Sequence, residues 1–203
     1  MPKIVDHDAY RMHLLEEVTP LFLRFGFEGL TTRQLSQHLG ISTGKLYHYF
    51  ASKEVLFEAA CRYWMERDIG FVRAILEEMP GPAERIRRIP HLLQEHRTKF
   101  DSQNQLLLQF SQIQRQRGQS ITSFWEDLYG SWERLTRDLL ELRSDFAAQL
   151  MCQSIDAIFL QWMQGHPEVD MFQYFERMAH WLPLIDQAEW EMQGTALSRS
   201  SDA

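Results

Sequence analysis

Leu14, Leu15, Val18, Leu21, Phe22 and Phe25 begin a pattern that the rest of the chain keeps. Apolar residues return every third or fourth position, and no stretch alternates with period two for long. On a helix that spacing gathers the apolar residues into one stripe; on a strand it scatters them over both faces. Glycine and proline are sparse and fall mainly at the breaks, so the chain reads as all-α. About nine segments result, near residues 7–25, 32–39, 43–49, 53–79, 82–99, 103–117, 120–142, 145–164 and 168–190.

Local chemistry marks several ends. Thr31 with Gln34 fits a capping box, and Gly40 fits a left-handed C-cap. Ser42 and Ser52 are N-cap residue types. Gly26, Gly118, Gly165 and Pro167 stop their segments, while Pro20, Pro90 and Pro183 interrupt stripes that continue past them. The tail, residues 192–203, is polar and reads as disordered.

With 203 residues, 44% of them hydrophobic, the chain can bury a substantial core. The formal net charge is −7, so any nucleic-acid contact must rely on locally placed cations. No apolar run approaches the roughly 18 residues that span a bilayer, and MPKIVDHDAY lacks a signal-peptide core. Cys61 and Cys152 are far apart without metal or redox spacing, which fits buried, reduced thiols and a cytoplasmic location. His91 and His96 sit five apart, a poor fit to one helix face, and no metal pattern appears. There is no nucleophile motif, phosphate loop or cofactor signature, and Glu126 and Asp156 are isolated carboxylates, so an enzyme is not expected.

The stretch TTRQLSQHLGISTGKLYHYF, residues 31–50, is the most specific. Leu35 and Leu39 form one inward stripe, Leu46 and Phe50 another, and a Gly-Ile-Ser turn joins them. Two short helices so joined form a helix-turn-helix, whose second helix reads the major groove of DNA. Gly44, Lys45 and His48 point away from Leu46, with Tyr47 and Tyr49 on the flanks. Lys45 can neutralise phosphate or reach guanine, and Tyr and His can donate to phosphate oxygens. Ser42 and Thr43 lie at a helix N-terminus, where free amides favour anions, and Lys53 holds the same place on the next helix. A solvated polar face would show the same residues.

The run FGFEGLTTRQLSQHLGISTGKLYHYFASKEVLF resembles the N-terminal signature of TetR/AcrR-type transcriptional regulators. It carries Gly26, Thr31-Thr32, Gly40-Ile41-Ser42-Thr43-Gly44-Lys45-Leu46-Tyr47-His48-Tyr49-Phe50 and Ser52-Lys53-Glu54-Val55-Leu56 in the family's order and spacing. Tyr49 stands where the family usually has histidine, and His48 is one place earlier. The resemblance implies a helix-turn-helix DNA-binding domain over residues 1–51 and a helical ligand-binding and dimerisation domain over 52–203. The DNA-facing set is then Thr32, Ser42, Thr43, Gly44, Lys45, Tyr47, His48, Tyr49 and Lys53.

The same resemblance implies a homodimer on an operator, a small-molecule effector and a four-helix interface from the last two helices. Leu150, Ile155, Phe159, Trp162, Phe172, Phe175 and Ala179 are the interface candidates, although these stripes could instead complete the chain's own core. Phe100, Phe110, Phe124, Trp125 and Tyr129 could wall an apolar cavity in which Gln109 and Gln112 orient a ligand; aromatic stripes of this kind also serve as plain core. Arg85, Arg87, Arg88, Arg115 and Arg117 read as solvated faces or as attractors of an acidic ligand. The functional expectation is a ligand-responsive DNA-binding regulator, released from its operator by an apolar or amphipathic molecule. A DNA-binding regulator or adaptor with no small-molecule response is the alternative.

Overall fold

The computed structural model describes residues 6–164 and 170–201, with side chains to 193. Among the described residues there are nine helices and no strand. They are α1 (His7–Phe25), α2 (Thr32–His38), α3 (Thr43–Tyr49), α4 (Lys53–Leu76), α5 (Pro82–Glu95), α6 (Arg97–Gln116), α7 (Thr122–Leu140), α8 (Asp145–Met163) and α9 (Met171–Ser201). None of the described helices is long and apolar enough to cross a membrane.

The chain forms two compact units, one of residues 1–68 with 102–125, the other of 69–101 with 126–203. This differs from a head ending at residue 51. The first unit keeps α1–α3 but adds the start of α4 and the end of α6, because its core is aromatic and shared. Phe57 of α4 meets Phe22 at 5.0 Å, Phe27 at 5.2 Å and Phe110 of α6 at 4.5 Å between ring centroids. Leu14, Leu15, Leu35, Leu46 and Phe50 complete this core. In the second unit α9 packs on α5 and α8. Its core joins Ile86, Leu93, Phe100, Leu139, Met151, Phe159, Trp162, Phe175 and Leu182. Tyr174 donates to Ser154 at 2.7 Å, and Asp186 accepts from the amides of Arg143 and Ser144 at 2.9 and 2.7 Å. These two contacts make α8 and α9 antiparallel neighbours.

Three differences from the expected boundaries have local causes. The break between α5 and α6 falls at His96, whose φ of −112° and ψ of 17° leave the helix, so Phe100 lies inside α6. No glycine or proline announces that break. Helices run through Pro20, Pro90 and Pro183, each losing one backbone hydrogen bond but not the helix. Helix α9 continues to Ser201, where an ending near residue 190 and a disordered tail from 192 were expected. Gly194 is the weakest helix former there, at a cost of about 1 kcal/mol, and no proline follows. Gly165 and Pro167, expected to stop α8, lie outside the described residues, as do Asp202 and Ala203.

Candidate nucleic-acid interface

The turn between α2 and α3 is set by local hydrogen bonds. Thr31 Oγ1 accepts from the Gln34 amide at 3.2 Å while Gln34 Oε1 accepts from the Thr31 amide at 2.8 Å, closing the capping box. At the other end Gly40, with φ +63°, places its amide on the Gln37 carbonyl and the Ile41 amide on the Ser36 carbonyl. That is a Schellman ending, and the left-handed residue it needs is the expected glycine. Ser42 Oγ then accepts from the Lys45 amide at 3.1 Å and starts α3.

Helix α3 is anchored by Leu46 and Phe50, each 1% exposed. Ser42, Gly44, Lys45, Tyr47 and His48 are exposed; Thr32, Thr43 and Tyr49 are partly so. A Cβ added at Gly44 would meet nothing within 4 Å, so the fold makes no demand for glycine there. The polar face is not bare. Lys45 Nζ lies 4.4 Å from the Tyr10 ring centroid, Tyr10 packs on Tyr49 at 5.2 Å, and Tyr49 Oη lies 3.3 Å from His7 Nδ1. The start of α1 therefore belongs to this face, and nothing in the periodicity of α1 pointed to it.

Lys53 departs from the expected role at a phosphate. Its ammonium donates to the carbonyls of Phe27 and Leu30 at 3.1 and 3.0 Å and sits 4.2 Å from the Phe27 ring centroid. It ties the α1–α2 loop to α4, leaving one donor. Arg117, at the end of α6, grips the same region by binding Glu28 and Glu54, both at 2.9 Å. Burial raises the Glu54 pKa, but its backbone and Ser52 hydrogen bonds and the charges of Arg117 and Lys53 outweigh this and leave the carboxyl below its usual range. Arg85, Arg87 and Arg88 are likewise paired, with Glu141, with Glu84 and Glu176, and with Glu95.

The residues expected to wall one cavity are divided between the two units. Phe110 and Phe124 are buried in the first unit's aromatic core, 5.9 Å apart, with Trp125 half-buried beside Phe124. Gln109 and Gln112 face solvent. Phe100 is core in the second unit, and Tyr129, exposed, pairs with Asp156. Two other glutamines are buried in the first unit: Gln103, whose amide donates to Asp68 at 2.9 Å, and Gln114, 1% exposed, with both amide atoms unpartnered. A cleft of about 220 Å³ lies between α1 and α4, lined by Met12, Leu15, Val55, Ala59 and Tyr63 with Arg11, Glu58, Arg62 and Glu66. The thiols of Cys61 and Cys152 are buried, and burial pushes both up, Cys152 to about 11.

The expected interface residues are also mostly interior. Phe159, Trp162, Phe175 and Ala179 are buried within a single chain, and Leu150 and Ile155 pack partly on the same core. Phe172 is exposed, with its ring 4.8 Å from that of His91. The apolar residues left open on α8 and α9 are others: Phe146, Leu160, Trp181, Leu184, Trp190 and Met192.

Residues 14–60 match the family model described as bacterial regulatory proteins, tetR family. The chain is 32% identical over 79 residues to the transcriptional repressor KstR2 of Mycobacterium tuberculosis, a stretch covering 39% of this chain and 40% of KstR2. The chain spans about two fifths of the length of the curated relatives it matches. Its fold is similar to a TetR transcriptional regulator from Rhodococcus sp., with TM-score 0.60 and 15% identity over 86% of this chain and 97% of that one. It is also similar to the regulator FadR from Bacillus subtilis solved with stearoyl-CoA, with TM-score 0.53 and 16% identity over 84% and 96% of the two chains. Residues 14–60, which hold the helix-turn-helix, are thus the part of the chain that is similar to the tetR family of bacterial regulatory proteins.

Proposed function

We propose that this protein is a homodimeric transcriptional regulator that binds a double-stranded operator through α3 and acts as a repressor. The observation that carries the reading is the exposed row Ser42, Gly44, Lys45, Tyr47 and His48, fixed in direction by buried Leu46 and Phe50. A protein with net charge −7 gains from concentrating its phosphate-seeking groups in this way. KstR2, which resembles the same region, is named a repressor.

The homodimer would form through the open apolar residues of α8 and α9, centred on Leu160, Trp181 and Leu184. Trp181 is 54% exposed and Leu184 51%, one turn apart, a costly arrangement for a monomer. Two copies joined there would present two α3 helices to successive major grooves of a pseudo-palindrome.

Release by a small apolar or amphipathic effector is part of the proposal, drawing on the FadR complex with stearoyl-CoA. Such an effector would weaken operator binding by its differential affinity for the two states of the dimer. The second reading, a DNA-binding regulator or adaptor without small-molecule response, draws on Phe110 and Phe124 being packed as core and on Gln109 and Gln112 facing solvent.

Selection of duplexes from a random pool by the full chain tests the first claim. Enrichment of a two-fold-related sequence supports it, and retention no better than bulk DNA refutes it. Competition of the selected duplex by long-chain acyl-CoA and other amphiphiles separates the two readings of the response.

A further inference from the structure

The α3 face includes side chains that the helix-turn-helix does not contain. His7, the first residue of α1, holds its ring 6.1 Å from His48 and 5.9 Å from Tyr49. Its Nδ1 meets Tyr49 Oη at 3.3 Å, across 42 residues of sequence. Tyr10, one turn further on, stacks on Tyr49 and carries the Lys45 ammonium over its ring. Two imidazoles, two phenols and an ammonium thus form one patch. The groups packed on His7 from the other helix are His48 and Tyr49, with Lys45 beside Tyr10. On its own side Asp6 and Asp8 are its sequence neighbours, His13 lies against Tyr10, and Arg11 is turned onto Phe50.

The His7–Tyr49 contact has two hydrogen-bond states. With His7 neutral and Nδ1 unprotonated, the Tyr49 hydroxyl donates inward to it. With His7 protonated, Nδ1–H donates to Tyr49 Oη, and the hydroxyl hydrogen is free to turn outward. One proton therefore adds a positive charge and releases a phenolic donor. Asp6, whose carboxylate caps α1 by accepting from the Asp8 and Ala9 amides, and Asp8 bring negative charge beside His7, and the imidazolium offsets one of those charges.

We propose that His7 is a phosphate ligand of the DNA interface, acting with Tyr49 and His48, and that protonation of this cluster tightens its grip on DNA as pH falls. The inference rests on the DNA-binding reading above. It assigns a contact to α1 and makes operator affinity respond to the pH range in which imidazole changes charge.

The test is fluorescence anisotropy of a duplex retained by the wild-type full chain from a random pool, at fixed ionic strength, between about pH 8 and pH 6. Wild type should tighten as pH falls, by up to about tenfold per pH unit for each proton taken up. The slope of log affinity against log salt should steepen by about 0.9 for each imidazolium that meets a phosphate. His7→Gln should flatten both trends, Tyr49→Phe should weaken them, and His7→Lys should keep the steep salt slope at every pH. His7 is exposed at a helix end, so unchanged melting curves will show that these variants fold. A His7→Gln protein that follows the wild-type pH and salt profiles overturns the assignment. Retention of no duplex at any pH overturns the DNA-binding reading and this inference together; a bound duplex with a flat pH profile overturns this inference alone.

Discussion

Replacing Lys53 by Met would separate a structural cation from a DNA-contacting one. Its ammonium makes two charge-assisted bonds, at 3.1 Å to the Phe27 carbonyl and 3.0 Å to the Leu30 carbonyl. Bonds to a charged group contribute about 1.5–3 kcal/mol each in favourable settings. The position is half-buried, so solvent screens part of this, and ordering the lysine costs up to about 2 kcal/mol. The cation over the Phe27 ring adds about 0.5–1 kcal/mol. Met keeps the stem packing but leaves two carbonyls without their donor. The net loss should be about 2–3 kcal/mol, read as a lower urea midpoint at unchanged slope. The salt dependence of DNA binding should change by less than the roughly 0.9 per phosphate contact that a lost phosphate ligand would give. Stability within about 0.5 kcal/mol of wild type, together with a full unit lost from the salt slope, would refute the argument. Lys53 would then reach phosphate rather than the loop.

Four further outcomes follow from other contacts. Gly44→Ala should hold or raise stability by up to about 1 kcal/mol, because helix propensity improves and a Cβ meets nothing, yet it should weaken duplex binding by intruding on the closest approach; paired melting and anisotropy measurements check it. Gln114→Leu should stabilise by about 1–2 kcal/mol in urea titrations, since it removes two buried polar atoms that have no partner. Glu replacing both Trp181 and Leu184 should yield a monomer in sedimentation, while a persistent dimer would move the interface off α9. Burial pushes the Asp156 carboxyl up to about 6 despite a lowering hydrogen bond from Tyr129, so the folded chain holds that proton to higher pH than the unfolded chain. The sign is that its contribution is present below about pH 4 and lost as pH rises towards about 6; solvent at this exposed residue reduces the size, and Asp156→Asn should flatten that part of a urea-midpoint profile.

What could be read from sequence divides by the range of the interactions. The capping box at Thr31, the Schellman glycine at Gly40 and the Ser42 cap each involve residues within five positions, and all three stand where periodicity and residue type put them. The inward turn of Leu46 and Phe50 was legible for the same reason. The roles of Lys53, His7 and Arg117 were not. Lys53 meets carbonyls 26 and 23 residues away, His7 meets a tyrosine 42 away, and Arg117 meets glutamates 89 and 63 away. A stripe also says that a face is covered without saying by what. Phe159, Trp162 and Phe175 are as greasy as an interface would be, and the chain's own α5, α6 and α9 supply the cover.

Lys53, Arg117 and Phe57 bear on how the first unit holds together. Its core holds Phe57 between Phe22, Phe27 and Phe110, and close-packed aromatic edges shift as a set rather than one by one. Arg117 adds two ion pairs at the rim of that set, both screened by water and worth at most about 1 kcal/mol each. Lys53 holds the loop that precedes α2 by two less exposed bonds of about 1.5–3 kcal/mol each before screening. A movement of the α6 end would therefore break the Arg117 contacts at small cost and pass through Phe110 to Phe57. The Lys53 tie would meanwhile keep the α1–α2 loop with α4. On this physics α1 to α3 and the start of α4 hold together as one body, and the distance from His7 to Tyr49 should be the same in any state that binds DNA and any state that does not.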